Sequence, residues 1–509
     1  MSEASSNTPL TGSALVLGGA LLAVANFMVV LDTTIANVSV PSIAGALAVS
    51  PTQGTWVITS YAVAEAITVP LTGWLAQRFG TVRVFCLAMA GFALFSFACG
   101  FAPSLGVLVF FRVCQGVCGG PMIPLSQSLL LRMFPPDKAP MALGLWAMTT
   151  VIAPVVGPIL GGTISDNAHW SWIFFINVPV AAVCAFFAWR VLRDRETPTS
   201  KRPIDYVGLI LLIVWVGALQ IMLDKGKELD WFGSAFIVVL ALIAVVGFAA
   251  FLIWELTAED PIVDLRIFRH RGFTVAATTL ALAFGAYFAG IILIPLWLQT
   301  SMGYSATWSG YALAGGVLAV VMSPIAAQLV NRVDPRALTS FGIFWFAMVA
   351  FWRSGFTTDV DFWHVFAPAL ALGFGVPFFF VPTTRIALGA VEPGEIAAAA
   401  GLSNFMRTTA AAFAASLSTT YWDTSASSAR DQLAGLLNNV QGRIDDLVGQ
   451  GLGPDQALGQ IDRLVQVQSV MLATDRVFFV TGFVFLVMGF LIWLAPRPKA
   501  AAAAPAGGH

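Results

Sequence analysis

Charged residues are scarce in this sequence: Asp, Glu, Lys and Arg make up 10% of its 509 residues, whereas 58% are hydrophobic. A typical soluble domain carries about 25% charged residues, so this chain has too few to cover a water-exposed surface. Several apolar runs exceed about 18 residues, the length at which a helix can cross the hydrocarbon core of a bilayer. The composition therefore predicts an all-α polytopic membrane protein.

Residues for several other kinds of chemistry are also few or scattered. The net charge of −1 offers no basic surface for nucleic acid. The sequence has no G-x-x-x-x-G-K-[ST] loop for ATP and no H-E-x-x-H or G-x-S-x-G motif for hydrolysis. Its four histidines and five cysteines form no cluster with metal-ligand spacing. We therefore predict no nucleic-acid partner, no enzyme activity, no metal and no cofactor, and an ion gradient as the energy source of any pump.

Fourteen apolar runs are predicted to be transmembrane helices. They lie near 12–36, 54–75, 84–103, 105–130, 140–163, 172–192, 204–223, 232–254, 273–298, 307–330, 337–357, 363–384, 399–421 and 475–496. The first run follows a segment without Lys or Arg and has no cleavage site after it, so we expect it to stay as a span rather than to be removed as a signal peptide.

The basic residues predict the orientation of these spans. An even number of spans places both termini on the same side of the membrane. Most Lys and Arg residues of the short loops fall on that side, and only Lys225, Lys227 and Arg353 fall in short loops on the other. Because short cytoplasmic loops are enriched in Lys and Arg, both termini are predicted to be cytoplasmic.

The polar segments divide the chain into two predicted six-helix bundles. The divisions are an N-terminus at 1–11, a first bundle at 12–192, a linker at 193–203, an inserted two-helix hairpin at 204–254, a linker at 255–272, a second bundle at 273–496 and a disordered tail at 497–509. Transporters built from two such bundles bind substrate between them near the bilayer midplane. The inserted hairpin is expected to be peripheral to this plan.

One long segment between spans, 422–474, is amphipathic rather than apolar. Leucine, isoleucine and valine recur there at helical spacing on both sides of a Gly-Leu-Gly-Pro-Asp turn at 451–455. We predict a helical hairpin on the outer side of the membrane. It either caps the outer mouth of the protein or provides a docking surface for a periplasmic partner.

Four of the charged residues inside predicted spans are candidates for a function, because a charge at the centre of the bilayer costs about 2.5–3.5 kcal/mol on insertion scales. They are Asp32, Glu65, Arg112 and Arg407. Asp32 and Arg112 have similar predicted depths below the outer surface, so the two side chains are expected to pair. Each charge is either part of a fixed ion pair between helices or a functional group that faces a water-filled cavity.

The functional alternative is favoured for Asp32, which could exchange a proton with either side of the membrane. Arg112 cannot deprotonate, so its expected role is to tune the carboxylate. Glu65 could bind protons or anchor a cationic substrate, and both alternatives stay open. For Arg407 the structural alternative is slightly favoured, with substrate binding as the other.

Further candidate residues are small or aromatic. Gly157, Pro158, Gly161 and Gly162 give the fifth span a small face that suits either a conformational hinge or tight helix packing. Aromatic walls can bind varied apolar compounds, although ordinary packing explains most such residues equally well. The weakly assigned substrate-binding candidates are Phe27, Tyr287, Phe378, Phe379 and Asn404, together with Glu65 and Arg407.

Six stretches of the sequence have the character of family motifs, and they lie at 31–41, 73–80, 112–116, 153–162, 172–179 and 402–407. Together they resemble the motifs of the fourteen-span drug:proton antiporters of the major facilitator superfamily. The stretch at 73–80 resembles the superfamily's loop between the second and third spans, and Gln77 replaces the Asp usual there. The resemblance covers essentially residues 12–496.

The resemblance implies a major facilitator fold and a Gram-negative inner-membrane pump that exports hydrophobic or amphipathic toxic compounds in exchange for protons. It also implies a periplasmic membrane-fusion adaptor and an outer-membrane channel as partners. By this resemblance Asp32 and Arg112 would couple protons, and the Gly157–Gly162 run, Gly73, Arg78 and Gly80 would serve conformational exchange. A dedicated exporter of one metabolite or siderophore, a passive facilitator and a non-transporting scaffold are the alternatives.

Overall fold

The computed structural model describes residues 12–135, 138–200, 203–437 and 440–497. Within these ranges the regular structure is helical, and no strand is formed. The predicted segment 1–11 and all but the first residue of the predicted tail 497–509 lie outside the described residues. Ten stretches are long and apolar enough to cross a membrane, and the predicted total of fourteen spans stays a prediction.

The α-helices are numbered here in chain order. They are α1 (Gly12–Ala46), α2 (Pro51–Gly54), α3 (Trp56–Thr68), α4 (Thr72–Phe79), α5 (Thr81–Gly100), α6 (Leu105–Gly119), α7 (Met122–Met133), α8 (Ala139–Asn167), α9 (Trp172–Phe175), α10 (Asn177–Leu192), α11 (Tyr206–Lys225), α12 (Ala235–Thr257), α13 (Arg271–Thr300), α14 (Ala306–Leu313), α15 (Leu318–Leu329), α16 (Pro335–Arg353), α17 (Phe362–Gly389), α18 (Ile396–Leu436), α19 (Val440–Gly449) and α20 (Pro454–Leu491).

Several spans predicted as continuous helices are broken. The break between α3 and α4 contains Pro70, and the break between α6 and α7 contains Gly120 and Pro121. Between α14 and α15 the chain tightens into a 3₁₀ turn, Ala314–Val317, with two consecutive glycines. Proline lacks the N–H that continues a helix, and glycine costs helix stability, so these positions favour the breaks.

The same pattern of helix packing occurs twice in the chain. Among the first six predicted spans, α1 packs on α8, α3 on α6, and α5 on α10. Among the last six, α13 packs on α18, α15 on α17, and α16 on α20. In both halves the first span therefore contacts the fifth, the second contacts the fourth, and the third contacts the sixth.

The two halves meet along α8 and α18. Helix α8 packs against α14, α15 and α17 of the second half, and α18 packs against α4 and α7 of the first. The inserted hairpin consists of α11 and α12, and its α11 packs against both α3 and α18. The hairpin was expected to be peripheral, yet it lies beside the seam and contacts both halves.

We call the face at which α1 begins and α20 ends the terminal side, and the opposite face the distal side. The halves are in close contact on the terminal side. A Cβ atom placed on Gly73 would lie 2.5 Å from Cβ of Ala398, and Arg132 Nη2 lies 3.5 Å from the carbonyl oxygen of Pro393. The terminal side of the seam is therefore closed.

The predicted hairpin at 422–474 does not begin or end at those residues. Helix α18 runs unbroken from 396 to 436, a length of about 60 Å, and α20 runs from 454 through the last span. The amphipathic stretches are thus extensions of the neighbouring spans, because no helix-breaking residue stands at either boundary. The predicted turn does occur between α19 and α20, where Gly451 adopts a φ of 101°.

Arg353 is also placed differently from its predicted position in a short outer loop. It is the last residue of α16, its exposure is 4%, and its guanidinium carbon lies 5.7 Å from the ring centre of Phe478.

The other end of α16 is capped by a side chain. The helix begins after Asp334, whose carboxylate accepts a hydrogen bond from the backbone N–H of Arg336. The side-chain hydrogen bond from Arg336 also holds the pKa of Asp334 below its usual range.

We predict that Gly73→Leu opens the terminal side, because the larger side chain cannot fit against Ala398. Spin labels on Phe79→Cys and Glu392→Cys in a background without other cysteines would report the separation of the halves. We expect longer label distances in the Gly73→Leu variant. Gly45→Leu is the control, since a Cβ there would have no atom from the rest of the described chain within 4 Å, apart from its own helix. Unchanged distances in Gly73→Leu would contradict a close contact at this position.

Candidate functional site

Asp32 and Arg112 form an ion pair in the interior of the first half, as the sequence predicts. Arg112 Nη1 lies 2.6 Å from Asp32 Oδ2, and the two residues are 0% and 2% exposed, respectively. The other carboxylate oxygen accepts from Gln115 Nε2 at 3.2 Å and from Asn177 Nδ2 at 2.7 Å. Sequence reasoning missed Gln115 and Asn177 as members of this cluster, although both lie in motif stretches.

Three helices bring the cluster together. Asp32 is on α1, and Arg112 and Gln115 are three residues apart on one face of α6. Asn177 is the first residue of α10, directly after the interruption at Ile176. The break between α9 and α10 therefore places the side-chain amide of Asn177 at the same depth as Asp32 on α1 and Arg112 on α6.

Arg112 has further contacts around the ion pair. Its Nε donates to the carbonyl of Val57 at 3.0 Å, and its guanidinium carbon lies 4.2 Å from the ring centre of Tyr61. Among the described residues, Nη2 has no hydrogen-bond partner. Removing one member of such a buried pair typically costs about 3–5 kcal/mol, because the remaining charge has no counter-ion.

A charged cavity of about 490 Å³ lies between the two halves. Helices α1, α3, α11, α13 and α18 form its walls, and its apolar lining includes Ile58, Phe284, Phe288 and Ile291. Its charged lining residues are Glu65, Asp224, Lys227, Glu228 and Arg407. The cavity thus combines aromatic and aliphatic surfaces with titratable groups.

A larger groove, about 1220 Å³, lies between the inserted hairpin and helices α13, α18 and α20. Its walls are almost wholly apolar and include none of the predicted site residues. Size alone does not identify a site, and we place the candidate binding site in the smaller, charged cavity.

Arg407 lies at the end of the cavity nearer the terminal side, where an amide and two aromatic rings contact it. Its Nη2 donates to Asn404 Oδ1 at 2.9 Å, and its guanidinium carbon lies 4.7 Å from the ring centre of Phe284 and 5.6 Å from that of Trp146. Asn404 in turn donates to Gln127 Oε1 at 3.0 Å, across the seam between α18 and α7. Asn404 therefore positions Arg407 and connects the two halves.

Glu65 lies in the last turn of α3 and lines the same cavity. Within the part of the chain that the structure describes, no basic side-chain nitrogen lies within 4 Å of its carboxylate. A carboxylate without an ion pair in a cavity can accept either a proton or the positive charge of a ligand.

The aromatic candidates lie outside the lining of this cavity. Phe27 packs with α8 and α9 residues of the first half, and Tyr287 stacks on Phe346 with ring centres 5.6 Å apart. Phe378 and Phe379 are 4% and 0% exposed and belong to the packing around α17. These four residues pack against other side chains in this structure, and a role for them in substrate binding stays a prediction.

The glycines of the fifth span lie on α8, with Pro158 between them, and two of them face α1. A Cβ on Gly157 would overlap Thr34 Oγ1, and one on Gly161 would lie 3.0 Å from the carbonyl oxygen of Ile35. At Gly162, a Cβ would have no atom of another described segment within 4 Å. Close approach of α1 and α8 thus requires glycine at 157 and 161, and a hinge role stays a prediction.

The loop between α4 and α5 is held by a residue that the sequence did not single out. Gly80 has a φ of 95°, and the Glu196 carboxylate accepts from the backbone N–H groups of Val82 and Arg83, both at 2.9 Å. Glu196 therefore caps α5 from the linker after α10. Arg78 lies over the ring of Trp74, with its guanidinium carbon 5.6 Å from the ring centre.

The chain is similar to known transporters over nearly its whole length. It is 46% identical over 507 residues to the Multidrug export protein EmrB of Escherichia coli (strain K12), an alignment that covers 98% of this chain and 99% of the relative. It is also 46% identical over 495 residues to the Fatty acid resistance protein FarB of Neisseria gonorrhoeae, covering 96% and 98%.

A solved structure has the same fold at low sequence identity. The proton:xylose symporter XylE of the major facilitator superfamily matches with a TM-score of 0.60 and 12% identity, covering 96% of this chain and 97% of the symporter. Residues 22–415 match the family model described as Major Facilitator Superfamily. The protein is thus a multi-pass membrane transporter of small molecules rather than an enzyme, and the chain belongs to the Major Facilitator Superfamily.

Proposed function

We propose that this transporter exports hydrophobic or amphipathic compounds across the membrane in exchange for protons. The observation that carries the proposal is the buried Asp32–Arg112 pair, which is beside a cavity between the two halves. The names of the two relatives, multidrug export and fatty acid resistance, support a substrate with a large apolar part. The apolar walls of the cavity support the same class of substrate.

The ion pair gives a physical mechanism for coupling. When Asp32 is ionised, its charge compensates that of Arg112, and Gln115 and Asn177 bond the second oxygen. A proton on Asp32 removes this compensation and leaves a buried cation without a counter-ion. The protonated state therefore favours a different arrangement of α1, α6 and α10, in which Arg112 reaches water or another acceptor.

The cavity supplies the second requirement, a place where a proton and a substrate can compete. Glu65 and Arg407 lie in its deeper part, beside Phe284. In our proposal Glu65 either binds protons or contacts the substrate, and Arg407 and Asn404 shape the end of the cavity nearer the terminal side. The contact at Gly73 closes the seam between the halves, and the contacts at Gly157 and Gly161 hold α1 and α8 together during the conformational exchange.

The membrane location and the partners are further parts of the proposal. The distribution of basic residues supports cytoplasmic termini, so that the distal side faces the periplasm of a Gram-negative cell. The extensions of α18 and α20 then project into the periplasm. Their exposed leucines, Leu436 (73%), Leu458 (53%) and Leu464 (64%), support docking of a membrane-fusion adaptor and, through it, an outer-membrane channel.

We expect proton release when an amphipathic dye such as ethidium is added to purified wild-type protein in weak buffer. Asp32→Asn should reduce this release to background, because no proton remains to be displaced at that site. Asp334→Asn, an equivalent change at the cap of α16, should retain it. Wild-type protein that binds the dye without releasing protons would count against exchange and would favour a passive facilitator.

A second variant addresses the role of Glu65. If this carboxylate contacts substrate, Glu65→Gln should weaken ethidium binding by about tenfold and leave binding of a neutral dye nearly unchanged. If it binds protons instead, the variant should keep dye binding and reduce the number of protons released. Fluorescence titration and pH recording on the same preparation separate the two roles, and no change in either measurement would remove Glu65 from the mechanism.

The docking part of the proposal can be tested without disturbing the spans. Arg430 Nη2 lies 2.6 Å from Asp462 Oδ1, so the two extensions are adjacent there and a short Gly-Ser loop can replace residues 431–461. We expect this deletion to abolish resistance of whole cells and to spare transport in isolated membrane vesicles. Loss of vesicle transport in folded protein would instead support a cap on the distal mouth.

A further inference from the structure

The inserted hairpin supplies one wall of the cavity between the halves. Gln220, Leu223 and Asp224, at the distal end of α11, all line the cavity. They face α3 on one side and α18 on the other, because α11 packs against both helices. Part of the candidate binding site is therefore built by a segment outside the two six-helix halves.

Hydrogen bonds and an ion pair fix this end of α11 to both halves. On the side of the first half, Thr59 donates its hydroxyl to Asp224 Oδ2, and Lys225 Nζ lies 2.5 Å from Thr55 Oγ1. On the side of the second half, Ser416 donates to the carbonyl of Leu223 at 2.6 Å, and Lys227 Nζ lies 2.5 Å from an oxygen of Asp423. The position of Asp224 relative to the cavity is thus defined from both sides.

Asp224 contributes a negative charge that, among the described residues, forms no ion pair at this end of the cavity. The two nearby lysines each have another carboxylate partner, since Lys225 pairs with Glu228 at 2.9 Å and Lys227 pairs with Asp423. No basic nitrogen of the described residues lies within 4 Å of the Asp224 carboxylate, which is exposed where the cavity begins. Its hydrogen bond from Thr59 orients the group without neutralising it.

The deeper part of the cavity is closer to neutral. Glu65 and Arg407 line it with opposite charges. Glu65 follows Thr59 by six positions on α3, which corresponds to about 9 Å along the helix. The rings of Phe284 and Phe288 and the side chains of Ile58 and Ile291 also line the cavity. A carboxylate at one end of an apolar cavity suits a ligand whose positive charge is carried by a bulky apolar body.

We propose that Asp224 is a specificity-determining residue that contacts the positive charge of lipophilic cations, such as phosphonium or quaternary ammonium compounds, inside the cavity. This inference rests on the proposed export function and adds a substrate class and a residue to it. Such cations are weakly hydrated and cannot donate hydrogen bonds, so a carboxylate and apolar walls provide the interactions available to them.

The test compares a cationic with a neutral probe on purified full-length protein. Tetraphenylphosphonium is the cation and N-phenyl-1-naphthylamine the neutral compound, with dissociation constants from calorimetry and fluorescence. We expect Asp224→Asn to weaken phosphonium binding by about tenfold and to change naphthylamine binding less than twofold. Asp230→Asn is the matched control, because it makes the same change six positions further along, in the loop after α11, at an exposed position that does not line the cavity.

A third variant separates the charge of Asp224 from its role in holding the hairpin. Thr59→Val removes the hydrogen bond and keeps the carboxylate, so phosphonium binding should stay near the wild-type value. Equal losses for both probes in Asp224→Asn, the same loss in Thr59→Val or Asp230→Asn, or no phosphonium binding to the wild type would overturn the inference. Proton release from the wild type on addition of ethidium is recorded in parallel, so that failure of the export proposal is detected independently.

Discussion

A buried pair of opposite charges constrains three helices of the first half at once. Neither Asp32 nor Arg112 can be transferred from water to this interior alone, because an isolated buried charge costs several kcal/mol even after relaxation. Together they are tolerated, provided that amides and carbonyls bond the remaining polar atoms. Gln115, Asn177 and the carbonyl of Val57 bond these atoms, except Arg112 Nη2, which has no hydrogen-bond partner among the described residues.

The pair and the cavity are connected through a single helix. Val29 and Thr33 of α1 line the cavity, whereas Asp32 points away from it into the first half. A substrate that contacts α1 and a proton that neutralises Asp32 therefore act on opposite faces of the same segment. The close contacts of α1 with Gly157 and Gly161 leave little space for a sideways shift, so α1 and α8 are expected to move as a unit.

The charged residues of the site and the apolar spans of the fold can both be predicted from the sequence. A charge inside an apolar run is conspicuous, and the equal depths of Asp32 and Arg112 were enough to predict their contact. Gln115 and Asn177 carry no charge, and only the break before α10 gives Asn177 its position. Arg353 and Asp224 lie where an apolar run ends, and there the sequence does not distinguish a loop from the last turn of a helix. The extent of α18 was underestimated for the same reason, because an amphipathic continuation has no apolar signal.

The position of the inserted hairpin has a consequence for how the halves can move. Asp224 is bonded to Thr59 on the first half, while Leu223 and Lys227 are bonded to Ser416 and Asp423 on the second. Any motion that separates the distal ends of α3 and α18 must lengthen contacts on at least one side of α11. The exposed ion pair of Lys227 and Asp423 contributes only about 0–1 kcal/mol to the attachment of α11 to the second half. On the side of the first half, Thr59 donates a hydrogen bond to the Asp224 carboxylate, which lines the cavity. A ligand cation at Asp224 would therefore compete with Thr59 for the carboxylate that attaches α11 to the first half. Binding in the cavity would thus weaken this attachment and make it easier for the two halves to move apart.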